Sequence, residues 1–109
     1  MSPNSAAASD PALSFFVSMI RDRLGIRLKQ CILYGSKARG DDEQESDFDC
    51  LLVVDEVTSS VNDSIDEAAG ETLYQFSSVM SAMAISEAKR SLQKFNPFLI
   101  NVFREGVVL

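Results

Sequence analysis

The residues of this chain that could do chemistry concentrate in residues 31–55. Asp47 and Asp49 open an apolar run, and residues two apart on a β-strand point to the same face of a sheet. Gly35 and Ser36 end an earlier apolar run, at a turn that leaves backbone N–H groups free. The paired carboxylates could therefore hold a divalent metal ion, and the Gly-Ser turn could hold the phosphates that the ion carries.

The composition limits which metal ion and which class of ligand the chain could bind. The chain has no histidine, which excludes a histidine-ligated metal and a histidine general base. Oxygen ligands favour Mg²⁺ or Mn²⁺. The formal net charge of −6 argues against general nucleic-acid binding, which needs a basic surface. A nucleotide site in so acidic a chain must create its own positive potential, from a metal, from Lys or Arg, or from both.

The cysteines and the apolar runs indicate the cellular compartment in which the protein works. Cys31 and Cys50 both lie inside apolar runs, where we expect small buried residues; a disulfide is the alternative and would suit an oxidising compartment. No segment approaches the roughly 20 apolar residues of a membrane span, and no signal peptide is evident. We therefore expect a cytoplasmic protein that does not contact a membrane.

The length of 109 residues suits one domain, predicted over residues 10–109 after a flexible N-terminus at residues 1–9. Asp10 and Pro11 predict the start of an amphipathic helix that stops at Gly25. The remaining predicted elements are a strand over 27–34, a helical turn over 36–39, a strand over 47–54, a helix after Thr58, a strand over 79–85, a helix to about Phe95, a helix from Pro97, and a C-terminal edge strand or core segment over 107–109.

The second predicted strand is apolar on both faces beyond its first turn. Its alternation places one set of residues on each face, and such a strand is central and covered on both sides. The two sets are Phe48, Cys50, Leu52 and Val54, and Asp47, Asp49, Leu51 and Val53. Only the start of the strand, where the aspartates lie, is expected to meet water.

The combined pattern resembles a known family. Gly35-Ser36, ten further residues and then Asp47-Phe48-Asp49 resemble the signature of the nucleotidyltransferase superfamily, which has the polymerase-β-like fold. The flanking LYGSKARG and SDFDCLLVV, together with the tail NPFLINVFREGVVL, resemble the small stand-alone members, the minimal nucleotidyltransferases. The resemblance covers residues 11–109 and implies an α+β fold, a small mixed sheet packed with helices.

The resemblance also implies residue roles. Asp47 and Asp49 would be the catalytic, metal-binding carboxylates, and Gly35 and Ser36 would bind the triphosphate of a nucleotide.

Two basic residues of the same turn each have two possible roles. Lys37 and Arg39 are placed to neutralise phosphate. A solvated position is the alternative, and the favoured one, for Lys37. A structural pairing with Asp41 or Asp42 is the alternative for Arg39.

The chain departs from the family pattern on its third strand. The superfamily carries a third carboxylate there, which helps hold a metal and can take the acceptor's proton. The matching position is Ser81 or Met83, and residues 79–85 contain no acid. Glu87 follows, where it is expected to be a helix N-terminal acid. The absence puts the acceptor chemistry in question more than nucleotide binding.

Two functions therefore follow from the resemblance. The first is transfer of a nucleoside monophosphate, AMP from ATP, to a protein or small-molecule hydroxyl, as the antitoxin of a helical HEPN toxin. The alternative is a weak or inactive module that acts by binding a partner protein. The soft, apolar third strand adds a second copy of the chain as a further partner. The acceptor and the base preference are not encoded in any motif we identify.

Overall fold

The computed structural model describes residues 9–40 and 47–109, and the fold below refers to these. Helices and strands follow one another as the sequence predicts, with boundaries shifted by a few residues. They are α1 (Pro11–Leu24), a 3₁₀ turn (Gly25–Arg27), β1 (Leu28–Tyr34), α2 (Gly35–Arg39), β2 (Phe48–Val54), α3 (Ser59–Phe76), β3 (Met80–Ser86), α4 (Glu87–Leu92), α5 (Pro97–Glu105) and β4 (Val107–Val108).

The strands form one mixed sheet in the order β3-β2-β1-β4. β1 is antiparallel to both β2 and β4, whereas β2 and β3 run parallel. The end of the chain is an edge strand, because Val107 and Val108 pair with Leu33 and Ile32 of β1. This is the α+β fold with a small mixed sheet that the sequence predicts.

Helix starts follow from local capping. The Asp10 side chain accepts a hydrogen bond of 2.8 Å from the N–H of Ala12, with proline at the first helical position. Thr58 caps α3 and Asn96 caps α5 in the same way. These bonds satisfy N–H groups that have no partner inside a helix. α4 ends at Leu92, before the predicted Phe95, since a short turn and the Asn96 cap precede the proline of α5.

β2 is covered on both faces, as its alternation predicts. Cys50, Leu52 and Val54 pack against residues of α1 and α3 in the larger core cluster. Leu51 and Val53 pack on the opposite face against α5, in a second cluster with Leu99 and Val102. Because Asp49 precedes Leu51 on that second face, it lies at the end of the covered region and is half-buried.

The two cysteines are buried and free, as expected for small core residues. Their side chains interact: the hydrogen bond with Cys50 lowers the pKa of Cys31, and the same bond, together with burial, raises the pKa of Cys50 well above its usual range. Separately, none of the described helices is both long and apolar enough to cross a bilayer.

Alanine substitutions at two glycines should change the free energy of unfolding in opposite directions. A Cβ on Gly106 would overlap the Ile32 side chain and the Val102 carbonyl oxygen, whereas a Cβ on Gly70 would meet nothing within 4 Å. Gly106→Ala should therefore lower the free energy of unfolding by about 2 kcal/mol through overpacking. Gly70→Ala, in the interior of α3, should raise it by about 0.5–1 kcal/mol.

Urea denaturation of the two variants beside the wild type measures both changes, with unchanged m-values as the sign of an unchanged unfolded state. A neutral Gly106→Ala would mean that α5 and β1 do not approach as closely as the structure places them.

Candidate active site

Strand pairing brings the two halves of the predicted site together. Tyr34, the last residue of β1, pairs with Asp49, the second residue of β2. Because the strands are antiparallel, the end of β1 lies beside the start of β2, so the turn at Gly35 adjoins the aspartates. Asp47 lies just before β2 and is exposed.

The closest contact of the site joins Gly35 to Asp49. A Cβ on Gly35 would lie only 2.6 Å from the Oδ2 atom of Asp49, nearer than real Cβ atoms approach other atoms. Gly35 also has φ of +77°, a backbone conformation that side-chain-bearing residues rarely adopt. Two independent constraints thus require glycine here, and the carboxylate occupies the space that a side chain would fill.

The electrostatics of the site oppose ionisation of Asp49 and Tyr34. Burial, and then the charge of Asp47, raise the pKa of Asp49. Burial and the Asp49 charge likewise raise the pKa of Tyr34. The negative potential that opposes ionisation of these groups would be relieved by a bound cation.

The donor set fits a hard divalent ion, since Asp47 and Asp49 offer only oxygens, as Mg²⁺ prefers. No third carboxylate joins this pair among the described residues. Within residues 9–40 and 47–109, no group of three or more acids or cysteines lies close enough together to share a metal ion.

Lys37 is not where the sequence favoured it. The expected solvated position is wrong, since the side chain is only 7% exposed. Its ammonium lies 4.7 Å from the centre of the Phe48 ring, in a cation–π contact. The physical reason is the shortness of α2, whose third residue turns towards the start of β2 instead of towards water.

Arg39 makes an ion pair with Glu105 at the end of α5, with 3.7 Å between Nη1 and Oε2. Both side chains are partly exposed. The alternative partners Asp41 and Asp42 lie outside the described residues, as does the side chain of Ser36. The phosphate-binding roles of Ser36 and Arg39 thus stay predictions.

The register of β3 separates the two candidate positions for the third acid. Ser81 pairs with Asp49, and Met83 pairs with Leu51, one pleat further along. Neighbours in a parallel pair face the same side of the sheet, so Ser81 occupies the position beside Asp49, and its side chain is exposed. Glu87 starts α4 beyond the far end of β3, as expected for a helix N-terminal acid.

The residues that complete the wall beside Gly35 have no signature in the sequence. A cavity of about 240 Å³ adjoins this glycine, between the end of β1, α2 and α5. Tyr34 and Phe98 meet there edge to face, with ring centres 5.6 Å apart. No local pattern could have predicted this contact, because it depends on how α5 docks on the sheet.

Comparison with known proteins agrees with this geometry. Residues 17–105 match the family described as "Nucleotidyltransferase domain". The chain is also 34% identical over 100 residues to a Methanocaldococcus jannaschii protein named "Putative protein adenylyltransferase", an alignment that covers 92% of this chain and 96% of that protein. The chain belongs to the nucleotidyltransferase family, as one of its minimal members.

Proposed function

We propose that this protein transfers AMP from ATP to a hydroxyl group of a partner protein, with Mg²⁺ or Mn²⁺ held by Asp47 and Asp49. The observation that carries the proposal is the contact between Gly35 and Asp49, which joins a carboxylate pair to a turn where backbone can approach a phosphate closely. Family membership supports nucleotidyl transfer in general.

The residues divide the work as follows. Asp47 and Asp49 hold the ion, which when bound supplies positive charge for the triphosphate and for the developing charge of the reaction. Gly35 and Ser36 receive the phosphates on backbone N–H groups, and Arg39, at the end of the same short helix, neutralises them. Lys37 instead holds α2 against Phe48.

The reaction is an in-line displacement. The acceptor oxygen forms a bond to the α-phosphorus, the bond from that phosphorus to the bridging oxygen breaks, and pyrophosphate leaves. The acceptor's proton passes to solvent, because no described carboxylate stands at Ser81 to receive it. Rate enhancement rests on positioning and on electrostatic stabilisation.

A protein acceptor is favoured by the name of the archaeal relative. The resemblance to small antitoxin members suggests a helical HEPN-type toxin as that acceptor. The second candidate function is neutralisation of the same partner by binding alone, and the observation in its favour is the serine at position 81, where the family carries an acid.

Incubation of the protein with Mg²⁺, its partner and ATP labelled at the α-phosphate tests the proposal. The product of the adjacent reading frame is the first partner to use. Label should reach the partner from α-labelled ATP but not from γ-labelled ATP, and EDTA should prevent it. A partner that is neutralised without becoming labelled would reject the enzyme and favour binding alone.

Restoring the third carboxylate should improve the site. In Ser81→Asp the new carboxylate stands beside Asp49, within reach of the same ion, so we expect about tenfold tighter Mg²⁺ binding and faster transfer. Met83→Asp is the matched control, because it adds the same charge one pleat further away on the same face. Isothermal titration with Mg²⁺ and the labelling assay compare them, and equal behaviour of the two variants would contradict this placement.

A further inference from the structure

Basic charge is concentrated in two segments of this acidic chain, residues 21–39, with six Lys or Arg and one Asp, and residues 88–104. Residues 88–104 contain four Lys or Arg and no Asp or Glu. The rest of the chain has six Lys or Arg against sixteen Asp or Glu, a net charge of −10. The four basic residues are Lys89, Arg90, Lys94 and Arg104.

The same segment exposes large apolar side chains. Leu92 is 85% exposed and Phe95 is 80% exposed, and Phe98 and Ile100 are 42% exposed each. Single exposed apolar residues are ordinary, but four within the nine positions from Leu92 to Ile100 are a concentration typical of an interaction site on a protein surface.

A groove of about 600 Å³ lies between α4 and α5, and Arg90, Lys94 and Ile100 are among the residues that line it. Its floor is held in place, because Arg90 donates a hydrogen bond of 2.7 Å to Gln30 and lies 4.0 Å over the Phe103 ring. Across the described part of the chain, no carboxylate forms an ion pair with Lys89, Arg90 or Lys94. We name this region the α4–α5 surface, comprising Lys89, Arg90, Leu92, Lys94, Phe95 and Ile100.

We propose that the α4–α5 surface docks an acidic segment of a partner protein that also carries leucine- or phenylalanine-like side chains. Charge complementarity selects the acidic character, since Arg90 and Lys94 line the groove and Lys89 is exposed on the same helix as Arg90, none of them with an acidic partner among the described residues. The exposed Leu92, Phe95 and Ile100 select apolar side chains on the partner.

A nucleic acid fits this surface less well than a protein segment does. The basic residues of the surface are few, and the chain as a whole carries a formal net charge of −6, which repels a phosphate backbone. A short protein segment can place a few carboxylates on the groove and end. Among the exposed apolar members of the surface, Phe95 alone offers a flat face for a base, since Leu92 and Ile100 are aliphatic.

The docking surface lies on the same face of the sheet as the candidate active site. α5 packs on Leu51 and Val53, the residues that follow Asp49 on that face. A docked protein would thus lie on the face of the sheet that carries Asp49, towards its opposite end, because Arg90 bonds Gln30, which pairs with Val53, four residues beyond Asp49. That the docked protein is the acceptor of the transferred nucleotide rests on the function proposed above, whereas docking itself does not.

Selection from a random 16-residue peptide display library on the full chain, without nucleotide or metal, tests the docking. We expect the selected peptides to be enriched in Asp and Glu together with Leu, Ile or Phe. Binding of a selected peptide should weaken by about fivefold or more in Lys94→Glu and Lys89→Glu, and should fall as NaCl is raised. Lys29→Glu, an equal charge change at an exposed lysine of β1 outside the α4–α5 surface, should bind as the wild type does.

Three outcomes would overturn the docking proposal. These are enrichment of neutral or basic peptides, binding that Lys94→Glu leaves unchanged, and binding of a 20-nucleotide single-stranded RNA that is tighter than peptide binding and is lost in Lys94→Glu. Failure of label transfer from ATP in a protein that still binds the peptides would count against the proposed enzyme and leave the docking surface standing.

Discussion

Asp49→Asn should lower kcat/KM for nucleotide transfer by about a thousandfold while making the metal-free protein more stable. The loss is expected because asparagine removes one of the two charges available to the ion. The gain is expected because the wild-type carboxylate is half-buried beside Gly35 and next to Asp47. The cation proposed for this site would offset that electrostatic cost.

The pH dependence of the gain follows from the raised pKa of Asp49. Since the folded protein holds this proton more tightly than the unfolded chain does, stability falls as pH rises from the ordinary pKa to the raised one. Asp49→Asn does not show this fall in stability with rising pH, because asparagine does not ionise. In EDTA, the difference in free energy of unfolding should be absent at pH values below the ordinary carboxyl pKa and reach less than ~1 kcal/mol at pH 7, because the group is partly solvated.

Urea denaturation at several pH values, beside the labelling assay, measures both effects. Asp55→Asn is the control at the other end of β2, where Asp55 pairs with Arg27 at 3.6 Å. It should keep full transfer activity and change stability slightly in the destabilising direction. An Asp49→Asn protein that is less stable than wild type at pH 7 would show that the carboxylate supports the fold instead of opposing it.

Gly35→Ala should reduce nucleotide transfer by about a hundredfold with only a small change in fold stability. The added methyl group must displace the Asp49 carboxylate, whose Oδ2 would lie 2.6 Å away. Even a displacement of about 1 Å in a catalytic group is enough for a loss of this size. Alanine at φ of +77° adds backbone strain of about 1 kcal/mol.

Gly40→Ala separates the two causes. Gly40 has φ of +78°, almost the same as Gly35, but a Cβ there would meet no atom of the described residues within 4 Å. Both variants therefore carry similar strain, and only Gly35→Ala touches Asp49. Urea denaturation should give the two variants similar stabilities. The labelling assay and titration of Mg²⁺-dependent ATP binding should show a loss in Gly35→Ala that Gly40→Ala does not show. Equal activities would mean that backbone strain, and not the contact with Asp49, explains the requirement for glycine.

Much of the fold was predictable because its signals are local. Capping by Asp10, the helix that follows Thr58 and the alternation of β2 depend on neighbours a few residues away, and the structure confirms each. The contact of Gly35 with Asp49 could also be predicted from the sequence. Antiparallel strands joined by a short connection must bring the end of one beside the start of the next.

The sequence by itself thus determined the family, the sheet-forming runs and the placement of a carboxylate pair beside a glycine turn. Tertiary structure alone decided that Ser81, and not Met83, stands beside Asp49, since strand register is set by pairing across the sheet. It also decided the burial of Lys37 against Phe48 and the groove between α4 and α5. These features arise from packing between elements distant along the chain, and hydrophobic periodicity encodes which face of an element is buried but not which neighbour covers it.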